Sequence, residues 1–215
     1  FTDSNFLASV GRSIGMCIIP IIVTIIIVLL ALFVTAIYFP KLEKYVQIIC
    51  MIPYTIQGVI LSVSILSLYV GSSSILSNRL VMLMGAYCIV ILPYIYQGIR
   101  NGMRAVNMPT LIEAAEMLGA SKIYAFFRVV VPNILSAIIV SSLLAVGIIF
   151  GDYVLIRNLA GTSAPNMQIF LYQTMKSDST KASAVFVVIM FVTFVITAIV
   201  LFVKSREAKG KTHRK

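Results

Sequence analysis

Charged side chains are scarce in this sequence: only 11% of its 215 residues are Asp, Glu, Lys or Arg, and only seven are acidic. A soluble domain usually has about 25% charged and about 45–50% apolar residues, whereas 60% of this chain is hydrophobic. A chain with so few polar residues cannot cover the surface of a soluble monomer. The composition therefore predicts a protein that lies in a lipid bilayer.

Side chains that bind metals or act as nucleophiles are also rare. His213 is the only histidine and lies in a basic tail, while Cys17, Cys50 and Cys88 each lie inside an apolar run without CxxC spacing. We interpret the cysteines as small hydrophobic residues in packed helices or lipid. No phosphate-binding loop of the form G-x-x-x-x-G-K-[ST] occurs. The sequence therefore predicts no catalytic residue, no metal site and no cofactor bound by this chain.

Five apolar segments are long enough to cross the hydrocarbon core, about 30 Å thick, as helices. They run from about 16 to 39, 47 to 70, 80 to 99, 129 to 150 and 182 to 203. We predict an all-α, polytopic membrane bundle with one transmembrane domain over residues 1–203 and a basic tail over 204–215. The odd number of spans and a first residue other than Met predict a sixth helix upstream of Phe1.

The Lys and Arg residues are distributed unequally between the two sides of the membrane. With five alternating spans, 12 lie on the side of the C-terminal tail and five on the other. The richer side is expected to be cytoplasmic, which places the tail in the cytoplasm. Membrane topology thus explains the net charge of +10 better than nucleic-acid binding does, because no basic face alternates with aromatic residues on a soluble domain.

A patterned polar segment, residues 100–128, separates the third and fourth spans on the predicted cytoplasmic side. Thr110 and Glu113 have the spacing of a capping box that begins a helix. Gly119 can adopt the left-handed conformation that ends it, and Ser121 can cap a second helix. This helix–turn–helix can fit a groove on another protein or lie on the membrane surface, and the residues alone leave both open.

The same segment carries a motif with defined spacing. It consists of Glu113, Ala114, Ala115, three residues, Gly119, nine residues, and then Val129-x-Val131-Pro132. This resembles the EAA motif of binding-protein-dependent ABC importer permeases, with Val129 and Val131 where the family has Ile and Leu. Other positions that recur in such permeases are Asn5 to Leu7, Phe39-Pro40 and Pro53.

The resemblance implies a type I importer permease in the bacterial cytoplasmic membrane. Its implied partners are a second permease subunit (identical or paralogous), two ATP-binding cassette subunits that hold ATP and Mg, and an extracytoplasmic solute-binding protein. The loop around Glu113 would insert into a cleft of the ATPase, and Glu113 would either pair with a basic residue there or serve only as a cap. The residues expected to couple to the ATPase are Glu113, Ala114, Ala115, Leu118, Gly119, Ala120 and Ser121.

The predicted outer segment, residues 151–181, contains the candidates for contact with solute. Asp152 and Tyr153 follow the fourth span, and a carboxylate at a membrane boundary is a candidate for an outer gate or a cation site. The alternatives are an interfacial Asp in water or one paired with Arg157. The apolar spacing between Met167 and Met175 predicts a short helix along the outer face.

Several residues of this outer segment and of the last span suggest a subgroup. Gly151-Asp152-Tyr153, Gly161, Met167 and Ala182-Ser183-Ala184 are similar to permeases for polyamines, ferric iron and 2-aminoethylphosphonate, with polyamine as the first choice. Two other classes of protein fit the sequence less well. A membrane-embedded enzyme would need clustered His, Asp or Ser residues at one face, and a passive channel would leave the EAA spacing unexplained.

Overall fold

The structure is a computed structural model that describes residues 4–56, 58–69, 78–161, 167–177 and 179–212. Its helices are α1 (Ser4–Ile37), α2 (Glu43–Thr55), α3 (Gly58–Tyr69), α4 (Arg79–Ala105), α5 (Met108–Met117), α6 (Lys122–Ala125), α7 (Val131–Asn133), α8 (Leu135–Gly151), α9 (Val154–Leu159), α10 (Met167–Ser177) and α11 (Ser179–Thr212). A 3₁₀ turn, Pro40–Leu42, precedes α2, and a π-helical turn, Phe126–Val130, follows α6. The described residues contain no strand, which confirms the all-α prediction.

Helix α4 forms the centre of the bundle, because α1, α2 and α8 all pack against it. Its side chains Leu83, Ile91 and Ile95 are fully buried. A Cβ atom at Gly98 would overlap Ser141 of α8. Small residues at such contacts let helices approach closely, so α4 and α8 pack closely at Gly98 and Ser141.

Two of the predicted spans are each built from two helices. Helices α2 and α3 meet at 97°, and the segments Lys122–Asn133 and Leu135–Gly151 meet at 65°. Two continuous helices, Gly11–Ile37 within α1 and all of α4, are long and apolar enough to cross a membrane, and each bent pair can add one span. Helix α11 begins with a shorter apolar stretch over Ser179–Val195.

The bend before α8 follows from the proline of the motif. Pro132 has no N–H to donate to the preceding turn, and the chain forms the π-helical turn just before it. The side-chain amide of Asn133 donates to the Val129 carbonyl over 2.8 Å. A side chain thus supplies a hydrogen bond where the regular helical ladder is interrupted.

The cysteines pack among the helices, as the sequence predicts. Cys17 and Cys50 are buried, while Cys88 is half-buried, with its Sγ atom 3.7 Å from the Pro20 carbonyl oxygen. Within the described ranges, no group of three or more His, Cys, Asp or Glu residues has an arrangement that could hold a metal ion.

Candidate functional site

The start of α5 differs from the capping box that the sequence predicts. The helix begins at Met108, and Thr110 lies inside its first turn. Asn107 precedes it in the left-handed conformation, with φ of 50°, and makes no side-chain capping bond. Asn tolerates this conformation better than most residues, so a backbone turn at Asn107 replaces the predicted Thr110–Glu113 exchange. The capping role of Glu113 is therefore wrong.

The end of α5 confirms the predicted glycine turn. Gly119 has φ of +83°, a conformation that costs an L-residue roughly 1–2 kcal/mol. The Ala120 N–H donates to the Ala115 carbonyl over 3.0 Å, and the Gly119 N–H donates to the Glu116 carbonyl over 2.9 Å. These two bonds form a Schellman motif, which closes α5 firmly and reverses the chain.

The second helix of the loop begins where the sequence predicts. The Ser121 hydroxyl accepts a hydrogen bond from the Tyr124 N–H over 3.3 Å and caps α6. Across the turn, Lys122 Nζ lies 3.8 Å from Glu116 Oε1. Both side chains are partly exposed, so this ion pair adds at most about 1 kcal/mol. The Schellman motif and the Ser121 cap therefore set the angle between α5 and α6.

The residues predicted to couple to the ATPase differ in how exposed their side chains are. Ala115 is buried together with Met108 and Ile112, on the side where α5 packs against α6 and the π-helical turn. Glu113, Ala114, Gly119 and Ser121 are exposed, and Ala120 is half-buried.

The tip of the loop exposes two apolar side chains. Met117 and Leu118 are each 89% exposed. Leu118 is among the predicted coupling residues, whereas Met117 was missed, although its place at the last turn before the glycine could have indicated it.

Asp152 lies in the turn between α8 and α9 and accepts hydrogen bonds from groups on both α4 and α9. Its Oδ2 atom accepts from the Tyr87 hydroxyl at 3.2 Å, from the Leu155 N–H at 3.1 Å and from the Ile156 N–H at 3.3 Å. The carboxylate therefore satisfies the first amides of α9 and ties that helix to α4. Among the described residues, the ion pairs do not include one between Asp152 and Arg157, and the Asp152 carboxylate is half-buried and hydrogen-bonded rather than surrounded by water.

Arg157 instead belongs to a cluster with Tyr153, Tyr172 and Lys176. The Arg157 Cζ and Lys176 Nζ atoms lie 5.2 Å and 4.8 Å from the centroid of the Tyr172 ring, and the Tyr153 ring lies 5.1 Å from it. The hydrogen bond and positive charge of Lys176 lower the pKa of the Tyr172 phenol. Tyr172 belongs to α10, the short helix that the sequence predicts for this segment.

A further polar surface was missed from the sequence. Tyr54, at the end of α2, is 65% exposed, and its ring lies 5.7 Å from that of Tyr94 on α4. Gln97 and Asn101 are also exposed. We call Tyr54, Tyr94, Gln97 and Asn101 the α2–α4 polar face. The spacing of 94, 97 and 101 along one side of an apolar helix is the signal that could have revealed it.

Comparison with known proteins gives a family match over most of the chain. Residues 14–206 match the sequence model of the family described as "Binding-protein-dependent transport system inner membrane component". A search of curated proteins finds no match to the chain. The matched region includes most of α1, all of α2, α4 and α8, the glycine turn, Asp152 and the α2–α4 polar face. The chain therefore belongs to the family of binding-protein-dependent transport system inner membrane components.

Proposed function

We propose that this permease subunit of an ABC importer is coupled to a cytoplasmic ATPase through α5 and α6 and moves a small polar solute by alternating access. A second permease subunit, two ATP-binding cassette subunits and an extracytoplasmic binding protein complete the transporter. ATP hydrolysis takes place in the cassette subunits. The 12-to-5 distribution of Lys and Arg supports a cytoplasmic position for this loop and for the C-terminal tail.

The observation that carries the proposal is the exposed pair Met117 and Leu118. Both side chains are 89% exposed at the tip of the loop, where they would contact water unless another surface covers them. The buried residues Ile112 and Ala115 hold α5 against α6 and the π-helical turn. Because the π-helical turn leads through α7 directly into α8, movement of the loop can be transmitted to the bundle as a rigid-body rotation.

A membrane-surface hairpin would also cover this apolar tip, so the experiment must detect the ATPase itself. We would purify the importer gently from its membrane and measure how much ATPase accompanies three versions of the chain. Leu118→Asp places a charge at the tip, and Thr110→Asp places the same charge at an exposed position in the first turn of α5. The wild-type chain and Thr110→Asp should retain the ATPase, and Leu118→Asp should lose it.

The opposite outcome is equally clear. If Leu118→Asp retains both the ATPase and solute uptake at wild-type levels, the loop tip is not the coupling contact. Equal loss in both variants would show that charge anywhere on α5 disrupts the complex, and would also contradict a specific role for the tip.

For the solute we propose a polyamine first, then ferric iron or an organophosphonate. The support is the similarity of the outer segment to permeases for these solutes. Asp152 adds little to a cation route, because its carboxylate accepts hydrogen bonds from Tyr87 and from α9. The proposed order of solutes can be tested by measuring uptake in the reconstituted importer with its binding protein. The labelled solutes are putrescine, ferric iron and 2-aminoethylphosphonate. Transport of ferric iron or the phosphonate alone would overturn the polyamine choice.

A further inference from the structure

The α2–α4 polar face lies on the outside of this chain, yet its side chains are unsuited to lipid. Tyr54 and Gln97 are exposed, the Tyr54 and Tyr94 rings lie 5.7 Å apart, and the Gln97 amide nitrogen lies 3.0 Å from Met51 Sδ. Polar side chains within a membrane almost always face other protein or a water-filled cavity. Contact with lipid therefore does not explain why these polar side chains are exposed.

The depth of the two tyrosines follows from an ion pair at one end of the helices. Arg100 and Arg104 both contact Glu43, with the closer Arg100 nitrogen 2.7 Å from Glu43 Oε1. This pair marks the polar end of both helices. Tyr54 lies eleven residues along α2 from Glu43, and Tyr94 lies six residues along α4 from Arg100 and ten from Arg104. At 1.5 Å per residue Tyr54 is about 16 Å and Tyr94 about 9–15 Å from that end, which places both rings inside a hydrocarbon core about 30 Å thick.

A helix break occurs at the same level. Helix α2 ends at Thr55 with an extended residue, Ile56, and α3 begins at Gly58 after the 97° bend. The Thr55 hydroxyl donates to the Ile52 carbonyl over 2.8 Å, and the Ile56 N–H donates to Pro53. The carbonyl end of a helix carries partial negative charge. Irregular backbone at membrane depth is tolerated only inside protein or beside a water-filled cavity.

These observations converge on one kind of ligand. We propose that the α2–α4 polar face, together with the carbonyl end of α2, binds a primary ammonium group of the solute on the transport path, opposite the second permease subunit. The faces of Tyr54 and Tyr94 attract a cation, while the helix-end carbonyls and the Gln97 amide oxygen can accept its N–H groups. This site rests on the proposed importer function and narrows the solute to an amine, a feature shared by polyamines and 2-aminoethylphosphonate but absent from ferric iron.

The position of the face on an aqueous path can be tested without knowing the solute. In the assembled importer, with the three native cysteines replaced by alanine, single cysteines would be introduced by Tyr54→Cys, Gln97→Cys and Ile52→Cys. Ile52 is a matched control, since it is 51% exposed but lies on the opposite side of α2, two residues from Tyr54. A charged, membrane-impermeant thiol reagent applied to both sides of vesicles should label the first two variants and not the third. Equal labelling of all three, or of none, overturns the proposal.

The ammonium assignment has its own test in the same variants. Putrescine should protect the Gln97→Cys thiol from the reagent, whereas 1,4-butanediol, which has hydroxyls in place of ammonium groups, should not. When Tyr94→Leu is added, the concentration of putrescine that protects half of the thiol should rise about 2- to 30-fold, the range expected for a lost cation–π contact. With Tyr94→Phe in its place, that concentration should return to the original value. Protection by both compounds, or by neither, contradicts an ammonium site.

Failure of this site can be distinguished from failure of the proposed function. The ATPase that co-purifies with each cysteine variant reports on coupling through α5 and α6, which is remote from Tyr54 in sequence. A chain that retains the ATPase but shows no selective labelling keeps the importer function and loses the ammonium site. A chain that shows selective labelling and putrescine protection but never binds an ATPase keeps the site and loses the proposed coupling.

Discussion

The Tyr87 hydroxyl donates a hydrogen bond to Asp152 Oδ2 over 3.2 Å and joins α4 to the turn between α8 and α9. Tyr87 is 1% exposed, so this bond is made largely inside the bundle. The same carboxylate oxygen accepts the Leu155 and Ile156 amides. One acidic group thus holds together the central helix and the short helix at the predicted outer end.

Removal of the Tyr87 hydroxyl should lower stability. Tyr87→Phe leaves a carboxylate that has lost one donor, at a cost of about 1–3 kcal/mol. Tyr96 provides a matched control on the same helix, because it is also fully buried and its hydroxyl has no hydrogen-bond partner in the described part of the chain. Tyr96→Phe should therefore be neutral or stabilising. Thermal unfolding of the detergent-purified importer measures both, and an equal fall in the two variants would contradict the assigned bond.

Substitutions at Asp152 distinguish a helix cap from a charge that attracts a cationic solute. Asp152→Asn keeps an oxygen for the amides of α9 and removes the charge, whereas Asp152→Ala removes both. If the main role of Asp152 is to cap α9, Asp152→Asn should retain uptake and stability. Asp152→Ala should then lower the free energy of unfolding by about 0.5–2 kcal/mol. Uptake that is lost equally in Asn and Ala, with the fold intact, would instead assign the charge to solute transport.

The left-handed turn at Gly119 should tolerate Asn far better than Val. Gly119 has φ of +83°, and apart from its chain neighbours no atom of the described residues lies within 4 Å of the position that a Cβ atom would occupy, so the cost of substitution arises from the backbone conformation. Val should cost more than the roughly 1–2 kcal/mol typical of an L-residue in this conformation, while Asn adopts it more readily. We expect Gly119→Val to reduce the co-purifying ATPase and Gly119→Asn to retain most of it. Similar retention in both variants would show that the turn does not determine docking.

The contact between α4 and α8 should depend on the absence of a side chain at Gly98. Gly98→Ala would force a methyl group against Ser141 and should destabilise the bundle by about 1–3 kcal/mol through overpacking. The double variant with Ser141→Gly should recover much of the loss. At Gly85, on the same helix, an added Cβ atom would meet no atom of the described part of the chain within 4 Å, so Gly85→Ala should stabilise by about 0.5–1 kcal/mol. The apparent melting temperatures of Gly98→Ala, Ser141→Gly, the double variant and Gly85→Ala test these expectations. If the effects of Gly98→Ala and Ser141→Gly on stability simply add, direct contact between the two residues is contradicted.

Local features were predicted well from the sequence. Gly119 and Ser121 perform the roles in turning and capping that their residue types favour, and α10 forms where the apolar spacing predicts it. The predicted start of α5 was wrong because two local solutions compete there. A capping box at Thr110 and a left-handed turn at Asn107 can each begin a helix in this segment. The chain uses the turn at Asn107, and the helix begins at Met108.

The candidate site was only partly visible beforehand. Asp152 was identified as a functional candidate, but its partner Tyr87 is 65 residues away in the chain, and no local pattern links the two. Likewise, Tyr54 and Tyr94 become neighbours only because α2 packs antiparallel along α4, with Glu43 placed beside Arg100. Such pairings depend on how helices dock.

By itself, the sequence determined that this chain lies in a membrane as helices, that its Lys and Arg residues are unequally distributed, and that a glycine turn interrupts the loop before the fourth span. These properties follow from run lengths, charge counts and backbone preferences, which act over a few residues. Only the tertiary structure decided that the second span breaks by 97° beside Tyr54, that Asp152 caps α9 while bound to Tyr87, and that polar residues of α2 and α4 share one exposed face. The physical reason is that helix packing brings together groups distant in the chain, and the free energy of those contacts belongs to the assembled bundle.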